Sequence, residues 1–522
     1  MNRIALIGVM AAMTLSAQGP NFGPLTPELQ PDLARLARTV QILRSRAQLS
    51  GETAGRVDKL IADAASARDS RDEGAARRDL AEAQALVAGL EWTNKDAFVW
   101  SLALELDEAV TESSLPLSGW LEQYYTAAYK PNSKLRMHLS LAPREGPARD
   151  LGTYDVPASG EVEFQASLKA APDGYYQVIA KVTDGKEPLV ELTKTIVLAR
   201  GILSGRLGVE GRLARIAGHD GAKASVIWPF DVARAVNDGN RELDTDDFGL
   251  GVDGTRDFKF AKELQDAEEL LTALEAGEDP LTRAKGDHER HYWFEDGGEI
   301  MPYRVYVPST WDGTSQLPMV FVLHGNTRDH DFYFDRDDGT LWRMAEKHGY
   351  VVATTMGYRP SAGYNAAEQR KSNEAPRFPV SAEQQRETEL SEKDALNAFR
   401  LIVDEYNPDP ARIYLFGHSS GATGGWYFGE KYNDKWAGVA LSAFTTRPQD
   451  VAFDVFENTP LMMIVGAEDG ARRVEMVEGM VEAIRGHGLK TEFLLEEGAD
   501  HDTIVGRALP HVFEFFDRQA GK

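Results

Sequence analysis

An α/β domain built on a mostly parallel sheet with helices on both faces is predicted for the C-terminal half of this chain, on three observations. Beyond Gly286, apolar runs of strand length alternate with amphipathic helical stretches. One junction, Ile413-Tyr414-Leu415-Phe416 followed by Gly417-His418-Ser419-Ser420-Gly421 and then Ala422-Thr423-Gly424-Gly425-Trp426, reads as a strand, a sharp turn and a helix. An acid and a histidine follow in segments that such a sheet delivers to the same rim as that turn.

Ahead of this domain, 286–522, the sequence divides into four stretches. Residues 1–17 have a short positive start, an apolar run and small residues ending at Ala17, which predicts a signal peptide and an exported protein without a stable membrane anchor. Residues 18–92 carry apolar side chains at helical spacing (Leu33, Leu36, Ala37, Val40; Val57, Leu60, Ile61, Ala64), a helical segment with no catalytic constellation. Over 93–200 the period changes to two, in Phe98, Trp100, Leu102 and Leu104, in Leu135, Met137, Leu139 and Leu141, and in Val178, Ala180 and Val182. Turn residues separate the runs, so a β-sandwich-like module is expected, its aromatics read as core or strand-face packing with a glycan-facing surface as the alternative. Residues 201–285 read as a helical linker region, with helices over 201–218 and 257–276. Between them, 237–254 holds Asp244, Asp246 and Asp247 without the spacing of a calcium loop.

Composition narrows the function classes. Of 522 residues, 57 are Lys or Arg and 82 Asp or Glu, and a net charge of -25 with no basic stripe argues against nucleic acid as a partner. There is no cysteine, which excludes disulfides, thiolate catalysis and cysteine-ligated zinc.

Within 286–522, strands are expected at 303–307, 317–323, 350–354, 413–416, 437–441, 461–465 and 491–495, with helices at 341–348, 392–406, 424–431 and 473–485 between them. Ser391 before Glu392 and Asp394 has the pattern of a helix N-cap. The polar stretch 365–390 reads as a loop or lid near the site.

The chemistry is carried by the turn after strand 413–416. A serine there is lifted clear of the backbone, and the flanking glycines let strand and helix approach closely. Ser419, with glycine two places away on each side, is the nucleophile, and Ser420 supplies a backbone N–H. The hydroxyl needs a base, and three histidines follow it: His487, His501 and His511. His501 sits in the loop after the last strand, at the serine's rim, and is preferred. Asp469, leaving the strand 461–465 at that rim, fixes the imidazole and reproduces the chain order Ser, Asp, His; Glu468, Asp500 and Asp502 are rivals. The oxyanion requires two N–H donors. Ser420 is one. The other lies in His324-Gly325-Asn326-Thr327, with Asn326 first and Thr327 second. Tyr358, Arg359, Tyr364 and Trp426 are expected to shape the pocket. The scheme uses no cofactor and no metal.

The segments Pro302-Tyr303-Arg304-Val305-Tyr306-Val307-Pro308, Leu317-Pro318-Met319-Val320-Phe321-Val322-Leu323-His324-Gly325, Ser391-Glu392-Lys393-Asp394 and Arg412 to Gly421 carry a likeness to a known family. From about Tyr292 onward the chain resembles the α/β-hydrolase superfamily, and within it the polyhydroxybutyrate depolymerase and feruloyl esterase-like group, which shades into prolyl oligopeptidase-like hydrolases. The resemblance implies a serine esterase acting on a small-molecule or polysaccharide-linked ester through Ser419, Asp469 and His501, with Ser420 and Asn326 at the oxyanion positions. Ser420 stands where such proteins often have Met or Gln, and the cysteines of some secreted depolymerases are missing. These departures favour a general carboxylester hydrolase. A serine peptidase and a non-catalytic glycan-binding surface protein are the alternatives.

Overall fold

The computed structural model describes residues 33–239, 259–369 and 382–521. The expected signal peptide, the acidic stretch from residue 240 onward and the middle of the polar insertion, 370–381, lie outside the described residues. Two compact units are present, Met1–Leu203 and Ser204–Lys522.

In the first unit the apolar stripes close on one another. Helices Leu33–Arg46, Gly51–Asp69 and Glu73–Val87 bury Val40, Val57, Ala64, Ala76 and Leu80 in a shared core. Phe98 and Trp100, expected in a strand, are helical. Thr93 and Asp96 form a reciprocal capping box that starts the helix Asn94–Ser101, and the strand begins only at Leu102. A sandwich follows. β1 (Leu102–Leu106), β3 (Pro116–Gln123) and β6 (Val162–Ser167) form one sheet. β2 (Val110–Thr111), β8 (Glu187–Leu198), β7 (Gly174–Asp184), β4 (Leu135–Pro143) and β5 (Arg149–Val156) form the other, in that order. Leu104, Leu117 and Phe164 from the first sheet share a core with Met137, Val178 and Ile196 from the second. Every aromatic on these strands is buried or half-buried, which favours strand-face packing over a glycan-facing surface.

The second unit is organised by an eight-stranded sheet. β9 (Gly286–Phe294) and β10 (Glu299–Val307) are followed by β11 (Met319–Leu323), β12 (Val351–Thr355), β13 (Ile413–His418), β14 (Gly438–Ser442), β15 (Leu461–Gly466) and β16 (Thr491–Glu496), in the spatial order β16-β15-β14-β13-β11-β12-β10-β9. β10 runs antiparallel to β9 and β12, and the remaining pairings are parallel. This is the strand order of the α/β-hydrolase fold.

The central strands are buried along their whole length because both faces are covered. Alternate residues divide between two cores. Phe321, Leu415, Leu441 and Met463 face the helices Ala382–Tyr406, Ser420–Lys431 and Ala471–Gly486, whereas Val322, Phe416, Ala440 and Ile464 meet Ile504, Val512 and Phe516 of the terminal helix Ile504–Gln519. No helix among the described residues is long and apolar enough to cross a membrane.

The segment read as a linker holds helices Arg206–Leu213, Asp220–Asn237 and Phe260–Glu275 and belongs to this second unit. On the second of them, Ser225 hydrogen-bonds His291 of β9 at 3.0 Å.

The helix expected to start at Ser391 begins earlier, at Ala382. Ser391, Glu392 and Asp394 are interior and buried because each has a partner across the core. Ser391 Oγ accepts the Tyr364 N–H at 3.0 Å, Glu392 accepts from Asn365 Nδ2 at 2.8 Å, and Asp394 accepts from the Tyr292 hydroxyl at 2.6 Å and the Tyr358 N–H at 2.9 Å. Burial pushes the Asp394 carboxyl up, opposed by these donors.

Candidate active site

Three glycines set the geometry around Ser419. A Cβ on Gly417 would lie 2.2 Å from the Gly421 carbonyl oxygen, one on Gly421 would lie 2.2 Å from the Leu323 carbonyl oxygen, and one on Gly425 would lie 2.7 Å from Leu441 Cδ2. Strand β13, the helix Ser420–Lys431 and strand β11 therefore meet backbone to backbone. At the apex Ser419 has φ 56° and ψ -118°, a conformation that costs a non-glycine residue about 1–3 kcal/mol and that the surrounding strands hold in place. Its N–H donates to the Ser442 carbonyl at 2.9 Å. Gly421→Ala drives a methyl into two backbone carbonyls. It is expected to lower the free energy of unfolding by about 3 kcal/mol, measured by urea denaturation.

The loops after β15 and β16 converge on the same rim. The Glu468 N–H donates to the Ala499 carbonyl at 2.9 Å, and a Cβ on Gly466 would sit 2.2 Å from that oxygen, so the Asp469 and His501 loops are tied together. His501 Nε2 lies 3.1 Å from Ser419 Oγ and His501 Nδ1 lies 2.9 Å from Asp469 Oδ2. The Asp469 side chain is almost wholly buried, while His501 is about one-third exposed.

The other acids expected as rivals are engaged elsewhere or point away. Asp500 Oδ1 accepts from the N–H groups of Asp502 and Thr503 and from the Thr503 hydroxyl, closing a local turn. Asp502 pairs with Arg328 at 3.3 Å. Glu468 is exposed. Of the other histidines, His487 stacks on Phe453 with ring centroids 4.2 Å apart, and His511 lies on the exposed side of the terminal helix.

The loop after β11 lies against the nucleophile. A Cβ on Gly325 would be 3.4 Å from Ser419 Cβ. Thr327 donates its N–H to the Pro360 carbonyl at 3.0 Å, which removes it as an oxyanion donor. The Asn326 N–H has no backbone acceptor among the described residues, and the Ser420 N–H opens its helix, where no intrahelical acceptor exists. His324 is buried, with its ring nitrogens 2.8 Å from the Gly325 and Met356 carbonyls, as a packed loop histidine. Of the side chains expected to shape the pocket, Trp426 is fully buried among Phe444, Phe453 and Phe456 and belongs to the core. Arg359 is held by Glu299 at 2.8 Å and lies over the Tyr358 ring.

Two neighbours of the site were not singled out from sequence. Arg473 Nη1 lies 2.9 Å from His501 Nδ1, and its Nε lies 3.2 Å from Asp469 Oδ1. A ring nitrogen that donates its hydrogen to Asp469 cannot accept from the guanidinium, so Arg473 stands beside it as a cation that shares the carboxylate. The four-residue spacing from Asp469 on a helix start was the available signal.

The second is His418, fully buried with Nδ1 3.1 Å from Ser442 Oγ and its ring centroid 4.8 Å from that of His501. Burial first, then the electrostatic effect of His501, Arg473, Arg336 and Arg328, holds the His418 imidazole well below its usual range. An unfolded histidine takes up a proton below about pH 6.5, whereas the folded His418 refuses it, so its contribution to stability is lost as pH falls through that value. The stability margin of wild type over His418→Gln is expected to shrink between neutral pH and pH 5, by at most about 1.4 kcal/mol per pH unit, in paired urea titrations.

No family model matches the chain, and no curated protein matches it. Solved structures do. An S-formylglutathione hydrolase from Agrobacterium tumefaciens is 17% identical with a TM-score of 0.36, over 45% of this chain and 96% of its own. A ferulic acid esterase from the anaerobic fungus Anaeromyces mucronatus is 15% identical with a TM-score of 0.34, over 42% of this chain and 86% of its own. A thermostable esterase is 13% identical with a TM-score of 0.36, over 75% of this chain and 91% of its own.

Proposed function

We propose that the protein is a serine hydrolase that cleaves carboxylic esters through an acyl-enzyme. The observation that carries this reading is the continuous line Ser419 Oγ, His501 ring, Asp469 carboxylate, at 3.1 Å and 2.9 Å. In this scheme neutral His501 takes the Ser419 proton at Nε2 as Oγ attacks the ester carbonyl carbon. Asp469 accepts from Nδ1–H, which fixes the tautomer and stabilises the imidazolium that forms. The oxyanion is held by the N–H groups of Ser420 and Asn326, the first reinforced by its helix terminus. His501 then gives its proton to the leaving alcohol. Water repeats the sequence on the acyl-enzyme, releasing the acid and restoring the Ser419 hydroxyl. The buried neighbour His418 takes no part, since its hydrogen bond runs to Ser442.

Export by the N-terminal segment belongs to the same proposal, as does a small or polysaccharide-linked ester as substrate. The test is a panel of acetyl, butyryl and feruloyl esters beside peptide amides of matching acyl groups. Turnover of esters with amides essentially inert is the expected outcome. Amide cleavage at comparable kcat/KM would replace the esterase reading with a peptidase.

A further inference from the structure

A second cluster of reactive side chains stands apart from the nucleophile. Glu289 and His291 lie on β9, with one residue between them, and His330 and Asp331 follow the loop after β11. One ligating atom from each of Glu289, His330 and Asp331 falls within 4.8 Å of the others. His330 Nε2 lies 3.2 Å from Glu289 Oε1 and 3.6 Å from Asp331 Oδ1, and His291 Nε2 also lies 3.2 Å from Glu289 Oε1. Four nitrogen and oxygen ligands about 2.0 Å from a tetrahedral zinc ion are spaced about 3.3 Å from one another. Three edges, Glu289 to His330, His330 to Asp331 and His291 to Glu289, have the length of such a shell.

A carboxylate held by two histidines is the competing explanation, and it fails on one of the two. His291 is buried, 5% exposed, and its Nε2 has no hydrogen-bond partner despite its nearness to Glu289. Its other nitrogen, Nδ1, is 3.0 Å from Ser225 Oγ. A ring fixed through one nitrogen by a neighbouring group, with the other turned toward a carboxylate it does not hydrogen-bond, is the disposition of a metal-bound histidine. Arg304 Nη1 sits 2.9 Å from Asp331 Oδ1, but the same guanidinium also pairs with Asp287 and Asp335, so three carboxylates offset its charge.

We propose that Glu289, His330 and Asp331 bind one divalent transition-metal ion, with His291 closing in from beside Glu289 as the fourth ligand. Two imidazoles with two carboxylates suit zinc and its neighbours, whereas calcium and magnesium require more oxygens than the cluster offers. The ion would clamp edge strand β9 to the segment that continues from Asn326, a structural role outside the ester chemistry. Ser225 would orient His291 without touching the ion.

The test uses the full chain, stripped by dialysis against a chelator and then titrated with cobalt(II) and with zinc(II). About one cobalt per chain with the intense visible bands of four-coordinate geometry is expected, together with a rise in the thermal unfolding midpoint on adding zinc. His330→Ala and Glu289→Gln should each weaken zinc binding by more than about 100-fold, and Ser225→Ala by about 10-fold. Circular dichroism of each stripped variant separates a lost ligand from a lost fold, with Glu289→Gln as the variant that keeps size and shape. Failure of the wild-type chain to retain either ion, a six-coordinate cobalt spectrum, or zinc affinity unchanged in folded Glu289→Gln would each overturn the proposal.

Discussion

Ser419→Ala is expected to lower kcat on a simple ester by about a millionfold while leaving the fold in place, because the attacking atom of a coupled set is removed and the rest cannot substitute for it. The adjacent Ser420 offers no rescue. It is the first residue of the helix Ser420–Lys431, and among the described residues the hydroxyl that His501 Nε2 meets is that of Ser419. Alanine keeps the Cβ at the strained position, so the thermal unfolding midpoint should rise slightly or stay level. A fall in kcat of only tenfold, with folding intact, would mean that another group attacks.

Asp469→Asn is expected to lower kcat by about ten-thousandfold, since an amide at that place favours the wrong imidazole tautomer and leaves the imidazolium uncompensated. Here Arg473 sharpens the result. Its guanidinium is 2.9 Å from His501 Nδ1 and shares the Asp469 carboxylate, so in the variant a cation remains beside the ring with its anion gone. The loss should therefore be partly relieved in the double variant Asp469→Asn, Arg473→Gln. The four-way comparison of kcat/KM measures that coupling directly.

Much of this site was legible in the sequence because a parallel sheet imposes a simple rule: loops after the carboxyl ends of its strands share a rim, and Ser419, Asp469 and His501 each follow such a strand. The buried strands were legible for a related reason, since β11, β13, β14 and β15 are predominantly apolar runs of strand length, as strands covered on both faces must be. Edge strand β9 was not. Gly286-Asp287-His288-Glu289-Arg290-His291 is polar and reads as a loop, yet Arg290 is buried through its pairing with Glu405, at 3.1 Å. The helix Asp220–Asn237 was hidden by Pro229 in its interior. Ser391 mimicked a helix cap because the pattern of serine followed by acids is the same whether those acids face solvent or, as here, buried donors. Glu289 and His330 are 41 positions apart and meet only after the sheet has formed, so no local pattern could pair them.

The central claim is that Ser419 is the atom that becomes acylated, and adduct mapping tests it most directly. The folded chain is treated with a fluorophosphonate, digested and sequenced by mass spectrometry. One phosphonyl group per chain on Ser419, with none after His501→Ala at the same exposure, is the result expected from a hydroxyl activated by its neighbouring imidazole. An adduct on Ser420 or any other residue, or labelling of Ser419 that proceeds equally well without His501, would contradict the account.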